Sequence, residues 1–462
     1  MRIDKGIRAI GPWLFAAFAV LATTAAGAAD LLTPAQLKED LRVFVDTIRN
    51  GHPDIAYSVA PADLDRALAS LERDLDRPLT RDEAWQRFAR INPVIADAHC
   101  GVFFDEPGKA VKAHLAGGGG LFPFEVHIDA DDNLFIAARL GGEPTPLART
   151  RITRIDGVDS RRVVRKLLAL VHGDTPAFRA RLLAERWYFY YWKMYGAPER
   201  YDLALDRRDA RRRVEPAGRV LPQSLATRES FEQTYRFELL PDRTAWLTAN
   251  SFAWPDADRW FAFADDAFGQ MRRAGTRRLI IDVRNNGGGN DDFWMRGLLR
   301  HIADKPYRWA STYRKRVMEA DPAKGEAVGD VVDGEIARRI EPERDDPLRF
   351  DGEVVVLVGP GTYSSSVLFA NVVQDYGFGK VAGARGGIVR SRQSGGTRDT
   401  TLPHSGLVAG WPRFILDRPA GAGAAAWLTP DLVIRDDPFD ARVAVDAIAG
   451  MPVRQHESAA AR

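Results

Sequence analysis

Two strand-like segments of this chain each run into a sharp turn, and together they constrain the fold more than any other feature. The first spans residues 278–290 and contains three consecutive glycines, and the second spans residues 353–366 and ends in three serines. Each opens with an apolar, β-branched run of strand length. The first turn offers bare backbone N–H groups, and the second delivers a serine where a helix is expected to begin. Oxyanion donors beside a hydroxyl nucleophile are the parts that an acyl-transfer site needs.

Four residues of these turns form the predicted catalytic machinery. Ser364 is the predicted nucleophile, because it opens a helix and its hydroxyl would lie at the positive end of the helix dipole. Gly288 and Gly289 lack side chains, so their N–H groups can approach a substrate carbonyl closely, and the N–H of Ser365 is placed to donate beside them. Taken singly, the glycines would be a plain turn and the serines an ordinary N-cap. Their joint occurrence favours an oxyanion hole formed by Gly288, Gly289 and Ser365.

The order of the predicted elements indicates an α/β fold. From Ala245 onward strand and helix patterns alternate, which predicts a largely parallel sheet with the two turns at the carboxyl ends of strands. The charged stretch 314–346 is predicted to interrupt this domain as a mobile stretch. Gly117 to Gly120 predict a boundary after a helical front region. The predicted divisions are a signal peptide at 1–28, a helical region at 29–115 that carries the candidate base, a mixed module at 116–235, the α/β core at 236–450 and a disordered tail at 451–462.

The N-terminus has the pattern of a secretory signal. Arg2, Lys5 and Arg8 form a basic head, Ile10 to Leu21 forms an apolar stretch, and the small residues Ala26 to Ala28 fit a cleavage site. The apolar stretch is shorter than the roughly 20 residues that a membrane span needs, so no stable membrane insertion is expected. We therefore expect a periplasmic or secreted protein.

Composition excludes several other classes. The formal net charge is +2, and the signal segment accounts for it, so the mature protein is near neutral and no nucleic-acid partner is expected. The dense basic run at 207–213 is predicted to be a solvated hairpin turn. The single cysteine, Cys100, rules out an intrachain disulfide and is interpreted as a packed thiol. No spacing typical of a metal site or a cofactor motif occurs, so neither a metal nor a cofactor is expected.

At the two turns the chain resembles the tail-specific, or carboxy-terminal processing, serine peptidases and their tricorn-core relatives. Residues 280–289 resemble that family's strand-plus-glycine motif, and residues 354–377 resemble its nucleophile segment, with Ser364 in the nucleophile's place. The resemblance covers residues 245–450 and extends loosely to 152–170, which look like part of a PDZ-type module. It implies a ClpP/crotonase-like catalytic core behind an N-terminal helical domain and a PDZ-like or mixed α+β middle region. It also implies protein or peptide substrates.

The resemblance favours one branch of this family. Tail-specific members pair the serine with a lysine whose place falls here on Val389, and no lysine follows Lys380. Arginine stays protonated and cannot replace it as a base. The tricorn-like branch uses an upstream histidine in a motif that Asp97-Ala-His99 resembles. His99 is therefore the predicted general base, and His404 is the runner-up.

The residue that would orient the histidine is less clearly marked. The tricorn-like branch has a glutamate whose place falls near Ala424, yet no glutamate lies between the predicted nucleophile and Glu457. Asp417 is the first choice for a replacement and Asp399 the second. Asp97 is interpreted as a local turn residue.

Together these features predict an exported serine endopeptidase that works through an acyl-enzyme. Two alternatives stay open. A catalytically inactive periplasmic member of the same fold could bind a ligand or a protein. A crotonase-type acyl-thioester enzyme would share the architecture, although an export signal disfavours a cytosolic substrate. The sequence leaves the oligomeric state open.

Overall fold

The computed structural model of the protein describes residues 31–207, 211–386 and 388–453. The predicted signal peptide and residues 454–462 of the predicted tail lie outside the described residues. The front region is helical, as expected, and two of its helices begin with capping boxes, at Thr33 with Gln36 and at Thr80 with Glu83. Its elements are α1 Pro34–Gly51, α2 Pro61–Arg73, α3 Arg81–Phe88, α4 Asn92–Ile95, β1 Gly101–Phe103 and α5 Pro107–Ala116, with short 3-10 turns at Ile55–Tyr57 and Ala89–Ile91.

The middle region combines a six-stranded antiparallel sheet with three helices. The predicted hairpin is formed by the strands Arg200–Leu205 and Arg212–Pro216. Arg212 and Arg213 of the basic run lie in its second strand, and residues 208–210 lie outside the described residues. The aromatic helix α8 packs into the interior, where Trp187 lies edge-on to Phe122. The elements are β2 Phe124–Ile128, β3 Leu134–Arg139, β4 Arg151–Ile155, β5 Val158–Asp159, α6 Ser160–Leu168, α7 Pro176–Glu185, α8 Trp187–Tyr195, β6 Arg200–Leu205 and β7 Arg212–Pro216.

The C-terminal region is an α/β domain around a second six-stranded sheet, which confirms the predicted fold class. Its strand order is β19-β14-β13-β10-β9-β8, and all neighbours are parallel except β8 and β9. None of the helices among the described residues has the length and apolar character needed to cross a bilayer. The elements are α9 Gln223–Glu229, α10 Phe231–Thr234, β8 Tyr235–Leu240, a 3-10 turn Pro241–Arg243, β9 Thr244–Ala249, α11 Ala257–Ala274, β10 Arg278–Asp282, α12 Asp291–Trp294, a π-turn Met295–Leu299, α13 Arg300–Ile302, β11 Thr312–Arg316, β12 Val331–Glu335, β13 Glu353–Leu357, α14 Ser365–Tyr376, β14 Lys380–Gly383, β15 Gln393–Gly395, β16 Arg398–Thr401, β17 Val408–Trp411, β18 Phe414–Leu416, β19 Leu432–Val433 and α15 Arg442–Ala449.

Strands β10 and β13 are direct neighbours, and this pairing brings the two special turns together. They pair in parallel from Arg278 opposite Glu353 to Asp282 opposite Leu357. Both strands are buried apolar runs, as expected for a sheet covered on both faces. Because the strands end level with each other, the glycine turn and the serine turn meet at one edge of the sheet.

The charged stretch 314–346, which the sequence marks only as an interruption, contains regular secondary structure. Strands β11 and β12 form an antiparallel hairpin within it, and β11 also pairs with β18. The sequence hides the hairpin because its strands carry charges that are neutralised in pairs rather than an apolar alternation. Arg314 binds Asp333 and Asp54, and Lys315 binds Glu326.

The front region is joined to the core by main-chain and side-chain bonds. Strand β1 pairs with β17, from Gly101 opposite Gly410 to Phe103 opposite Val408. The carboxylate of Asp40 on α1 is fully buried and accepts the N–H groups of His404 at 2.9 Å and Ser405 at 2.8 Å. These contacts fix the segment before β1, which contains His99, against the α/β core.

We expect Asp40→Ala to destabilise the protein, since two buried N–H groups would lose their acceptor. At about 1–3 kcal/mol for each unsatisfied group, the free energy of unfolding should fall by about 2–6 kcal/mol. Chemical denaturation followed by circular dichroism measures this change. Glu39→Ala is the matched control, because Glu39 is half-exposed, accepts from the His404 ring at 2.9 Å and pairs with the exposed Arg42 at 3.9 Å, and so leaves no buried N–H group without an acceptor. Equal stability of the two variants would contradict the proposed tie.

Candidate active site

Hydrogen bonds join the glycine turn and the serine turn at the edge of the sheet. The Thr362 hydroxyl donates to the carbonyl oxygen of Val283 at 2.7 Å. The N–H of Tyr363 donates to the carbonyl of Asn286 at 3.0 Å, and the Ser366 hydroxyl donates to the same carbonyl at 2.7 Å. Both turns are therefore held by each other rather than by solvent, which gives the intervening residues little freedom.

Ser364 differs from its two serine neighbours in backbone and in bonding. Its φ of 55° and ψ of −126° lie in a region that a non-glycine residue rarely adopts. Such a conformation costs about 1–3 kcal/mol and is typical of functional sites, including strand-to-helix nucleophile turns. Within the described residues its hydroxyl makes no hydrogen bond, whereas the hydroxyls of Ser365 and Ser366 bind Asp291 and Asn286. Of these three serines, the half-buried Ser364 is thus the one whose hydroxyl has no hydrogen-bond partner among the described residues.

Gly288 makes the close approach between the turns possible. A Cβ atom there would lie 2.7 Å from the Ser364 Cβ and 2.9 Å from the Ser365 nitrogen, and the φ of Gly288 is 101°. Its N–H donates to the Asn286 side chain at 2.8 Å. In the part of the chain that the structure describes, the N–H groups of Gly289 and Ser365 donate a hydrogen bond to no acceptor. Those two groups are available to an oxyanion.

His99 packs against Tyr363, the residue before Ser364, and among the described residues it forms no hydrogen bond with Ser364. The His99 ring is 5.0 Å, centroid to centroid, from the ring of Tyr363. Consecutive residues of β15 hold both partners: Gln393 accepts the N–H of Ser364 at 3.0 Å, and the Ser394 hydroxyl lies 2.9 Å from His99 Nδ1. The segment before β1 and the start of α14 therefore meet across one short strand.

The hydrogen bonds of Ser394 define which nitrogen of His99 carries the proton. The Ser394 hydroxyl donates its single hydrogen to Asp97 Oδ1 at 2.9 Å, because an ionised carboxylate only accepts. Ser394 must then accept from His99, so Nδ1 of His99 carries the hydrogen. Nε2 is left unprotonated, as a general base requires.

Electrostatics keep Asp97 ionised and His99 neutral. Burial alone would raise the pKa of Asp97, but the ion-pair interaction with His52, the electrostatic attraction of the His99 ring and the backbone N–H of His99 outweigh burial and lower that pKa. His52 Nε2 lies 3.8 Å from Asp97 Oδ2, at ion-pair rather than hydrogen-bond distance. Burial lowers the pKa of His99 below its usual value, and the Asp97 charge opposes this only in part. His99 is consequently a neutral imidazole near neutral pH.

The other candidate residues lie in separate surroundings. Asp417 accepts the Thr312 hydroxyl at 2.6 Å and pairs with Arg392 at 2.9 Å, and among the described residues it forms no bond to His99. The runner-up base, His404, binds Glu39 near the surface. Asp399, the second choice for the orienting residue, lies on β16 and pairs with β17. Cys100 is fully buried, and burial raises its thiol pKa.

Sequence reasoning missed the residues that contact the candidate base. Gln393 and Ser394 lie in a segment with no motif, so nothing in the sequence marks them. Tyr363 and Asp97 lie within the two family motifs, next to Ser364 and two residues before His99. Their closeness in sequence to the predicted catalytic residues is the one indication of a role that the sequence offers. Asp97 accepts the N–H of His99 at 2.8 Å, as a turn residue would, but it also accepts from two side chains distant in sequence.

The comparisons with known proteins give this site a class. Residues 243–400 match the model of Peptidase family S41, so the chain is a serine-type peptidase with protein or peptide substrates. That region contains both turns, and the match confirms the resemblance to tail-specific serine peptidases. The comparison with curated proteins found no match.

Two solved structures of CPAF support the same fold. Mature CPAF in complex with lactacystin is 13% identical and has a TM-score of 0.60, over 90% of this chain and 98% of that chain. Mature CPAF alone is also 13% identical, with a TM-score of 0.60 over 87% of this chain and 93% of that one. The photosystem II D1 C-terminal processing protease is 16% identical, with a TM-score of 0.46 over 90% and 97% of the two chains. At such identities the likeness to CPAF concerns the fold.

We expect Gly288→Ala to abolish activity, because a Cβ would collide with Ser364 in a backbone conformation that alanine avoids. Gly287→Ala is the matched control: a Cβ there meets no atom within 4 Å, and its φ is not positive. Peptidase turnover of both variants, checked for folding by circular dichroism, measures the difference. Similar turnover in both variants would show that the turns need no such close approach.

Proposed function

We propose that the protein is an exported serine endopeptidase that cleaves proteins or peptides through an acyl-enzyme, with Ser364 as nucleophile and His99 as general base. The observation that carries this proposal is the chain of bonds from Asp97 through Ser394 to His99 Nδ1, which leaves Nε2 free to accept a proton. The strained Ser364 beside it supplies the hydroxyl.

In the proposed mechanism, Nε2 of His99 removes the hydroxyl proton of Ser364 as its oxygen attacks the scissile carbonyl. Attack requires that the two side chains approach each other when substrate binds, since catalytic hydrogen bonds often tighten only in the substrate complex. His99 then gives its proton to the leaving amine, and the serine ester remains. Water, activated by the same imidazole, hydrolyses this ester and restores the serine.

The oxyanion of each tetrahedral intermediate would lie between the two turns. The N–H groups of Gly289 and Ser365 are the donors that carry this step, and the Ser365 N–H is also at the positive end of α14. Gly288 contributes its lack of a side chain, while its own N–H stays with Asn286. Loss of one such donor typically slows turnover about 100- to 1,000-fold.

The orienting role passes from Asp417 to Asp97 in this proposal. Asp97 is buried and fixes His99 in two ways: its Oδ1 accepts the backbone N–H of His99, and through Ser394 it selects the ring tautomer. When His99 becomes charged, the carboxylate lies 3.8 Å from Nδ1 and stabilises the positive charge. Asp417 has Thr312 and Arg392 as partners instead.

Covalent labelling tests the nucleophile. A fluorophosphonate probe should label the mature protein, and Ser364→Ala should abolish this labelling. Ser365→Ala is the matched control, because it keeps the N–H of residue 365 and removes only the hydroxyl that binds Asp291. Absent labelling of the wild-type protein would favour the alternative, a binding protein of the same fold. Labelling that survives Ser364→Ala would assign the nucleophile to another residue.

Export rests on the N-terminal pattern, which lies outside the described residues. We expect cleavage after Ala28, so that the mature chain begins at Ala29. Mass spectrometry of the protein recovered from a periplasmic extract of a bacterial host measures this terminus. A variant in which Ala26 and Ala28 are replaced by arginine should keep the full-length mass, and an intact N-terminus in the unaltered protein would refute export by this signal.

A further inference from the structure

We propose that Asp174 is a positioning residue of this peptidase site, and that it holds one proton which it shares with Asp97 through the hydroxyl of Tyr363. Loss of that proton is inferred to loosen both the base and the nucleophile. This inference deepens the proposed function and rests on it. Asp174 belongs to the middle region, in the segment between α6 and α7, which the sequence did not connect with catalysis.

The carboxylates of Asp174 and Asp97 both lie within hydrogen-bond distance of the Tyr363 hydroxyl. Tyr363 Oη lies 2.8 Å from Asp174 Oδ1 and 3.2 Å from Asp97 Oδ1, and it accepts the N–H of Ala98 at 3.1 Å. Both aspartates are buried, at 7% and 0% exposure. The second oxygen of each carboxylate has no hydrogen-bond partner among the described residues.

Counting hydrogens shows that one proton is missing if both acids are ionised. A phenol has a single hydrogen, so Tyr363 can donate to Asp97 or to Asp174 but not to both. If Asp174 carries a proton, it donates to Tyr363 Oη, and Tyr363 in turn donates to Asp97. Every close oxygen pair then has one hydrogen between its members. Two ionised carboxylates would instead face each other across one oxygen, which burial penalises strongly.

The charges around Asp174 support the same assignment. Burial and the Asp97 charge raise the pKa of Asp174 to about 7, and the nearby Arg390 and the Tyr363 hydroxyl oppose this shift only in part. Arg390 Nη1 lies 3.3 Å from Asp174 Oδ2 and also donates to the carbonyl of Ala96 at 2.7 Å. The titratable and charged groups that face Asp174 are Asp97 from the segment before β1, Tyr57 from the first 3-10 turn, Arg179 from α7, Tyr363 from the serine turn and Arg390 from the segment before β15.

Both catalytic partners depend on this shared proton through Tyr363 and Asp97. Tyr363 precedes the strained Ser364 directly, and its ring packs on the His99 ring. Asp97 Oδ1 also receives the bonds that fix the backbone and the tautomer of His99. Once Asp174 ionises, Tyr363 is pulled toward it and Asp97 loses a donor. Activity should then fall on the alkaline side of neutrality, while titration of His99 sets the acid side at a pKa below its usual value.

The test compares the pH dependence of kcat/KM in the wild-type protein, in Asp174→Asn and in a control. Asparagine has the shape of a protonated aspartate, so its amide can donate to Tyr363 at every pH. The wild-type kcat/KM should fall about tenfold per pH unit above the alkaline pKa, and this limb should be absent in Asp174→Asn. Asp156→Asn is the matched control, since Asp156 also accepts a tyrosine hydroxyl, from Tyr191 at 3.4 Å, but lies in the turn between β4 and β5. An alkaline limb that is unchanged in Asp174→Asn, or lost equally in the control, would overturn the proposal.

Two further measurements need no turnover and separate this inference from the proposed function. A raised carboxyl pKa means that the folded protein keeps a proton which the unfolded chain loses, so stability falls as pH rises from about 4 to about 7. The melting temperature of Asp174→Asn, relative to wild type, should therefore increase across this range. Infrared difference spectra of the wild-type protein should show a protonated carboxylic acid that disappears above neutrality and is missing in Asp174→Asn.

If both measurements show the proton but Ser364 takes no probe, the proposed function fails and the shared proton stands. If the carboxylic acid band is absent at about pH 6 in a protein that does label at Ser364, the inference about Asp174 fails and the peptidase assignment is untouched.

Discussion

The parallel pairing of β10 with β13 is the constraint on which the site depends. Strand residues advance by about 3.3 Å each, and a shift of one residue would also turn every side chain to the opposite face. In the observed register both strands end level, at Asp282 and Leu357. A shift would part Thr362 from Val283 and Tyr363 from Asn286, and with them the bonds that hold the serine turn. The buried apolar faces of both strands make such a shift unfavourable.

The strained backbone conformation of Ser364 is maintained because hydrogen bonds hold the residues on both sides of it. The residues on both sides are tied: Tyr363 by Asn286, and Ser365 by Asp291 and Trp294. Gly288 fills the space below the serine with backbone alone, which a side chain could not do. The strained φ then needs no compensation from the serine's own side chain, whose hydroxyl stays free. A relaxed N-cap serine would instead use its hydroxyl to cap the helix.

The sequence points to the parts of the candidate site that are local, and it gives no sign of those that are assembled from distant segments. Gly288, Gly289, Ser364 and Ser365 follow from the order of residues within two strand-turn units, where backbone geometry limits the alternatives. Ser394, by contrast, reaches His99 only because β15 lies beside the segment before β1, and no local pattern encodes this neighbourhood. The hairpin of β11 and β12 was missed for a related reason, since its strands are stabilised by ion pairs across the sheet rather than by an apolar face. Asp417 lies within the predicted α/β core, but nothing in the sequence around it indicates that it binds Thr312 and Arg392.

A serine between the carboxylate and the imidazole can replace a direct carboxylate partner because orientation and charge stabilisation have different ranges. The tautomer is fixed by short hydrogen bonds, and the Ser394 hydroxyl transmits the acceptor character of Asp97 to His99 Nδ1 over two such bonds. The charge acts through space: two unit charges about 4 Å apart attract by about 4 kcal/mol at an effective dielectric constant of about 20. With 3.8 Å between Asp97 Oδ1 and His99 Nδ1, most of this attraction survives the inserted hydroxyl. The absence of a glutamate near Ala424 therefore does not deprive His99 of a counter-charge, because Asp97, two residues away in sequence, lies close enough to supply it.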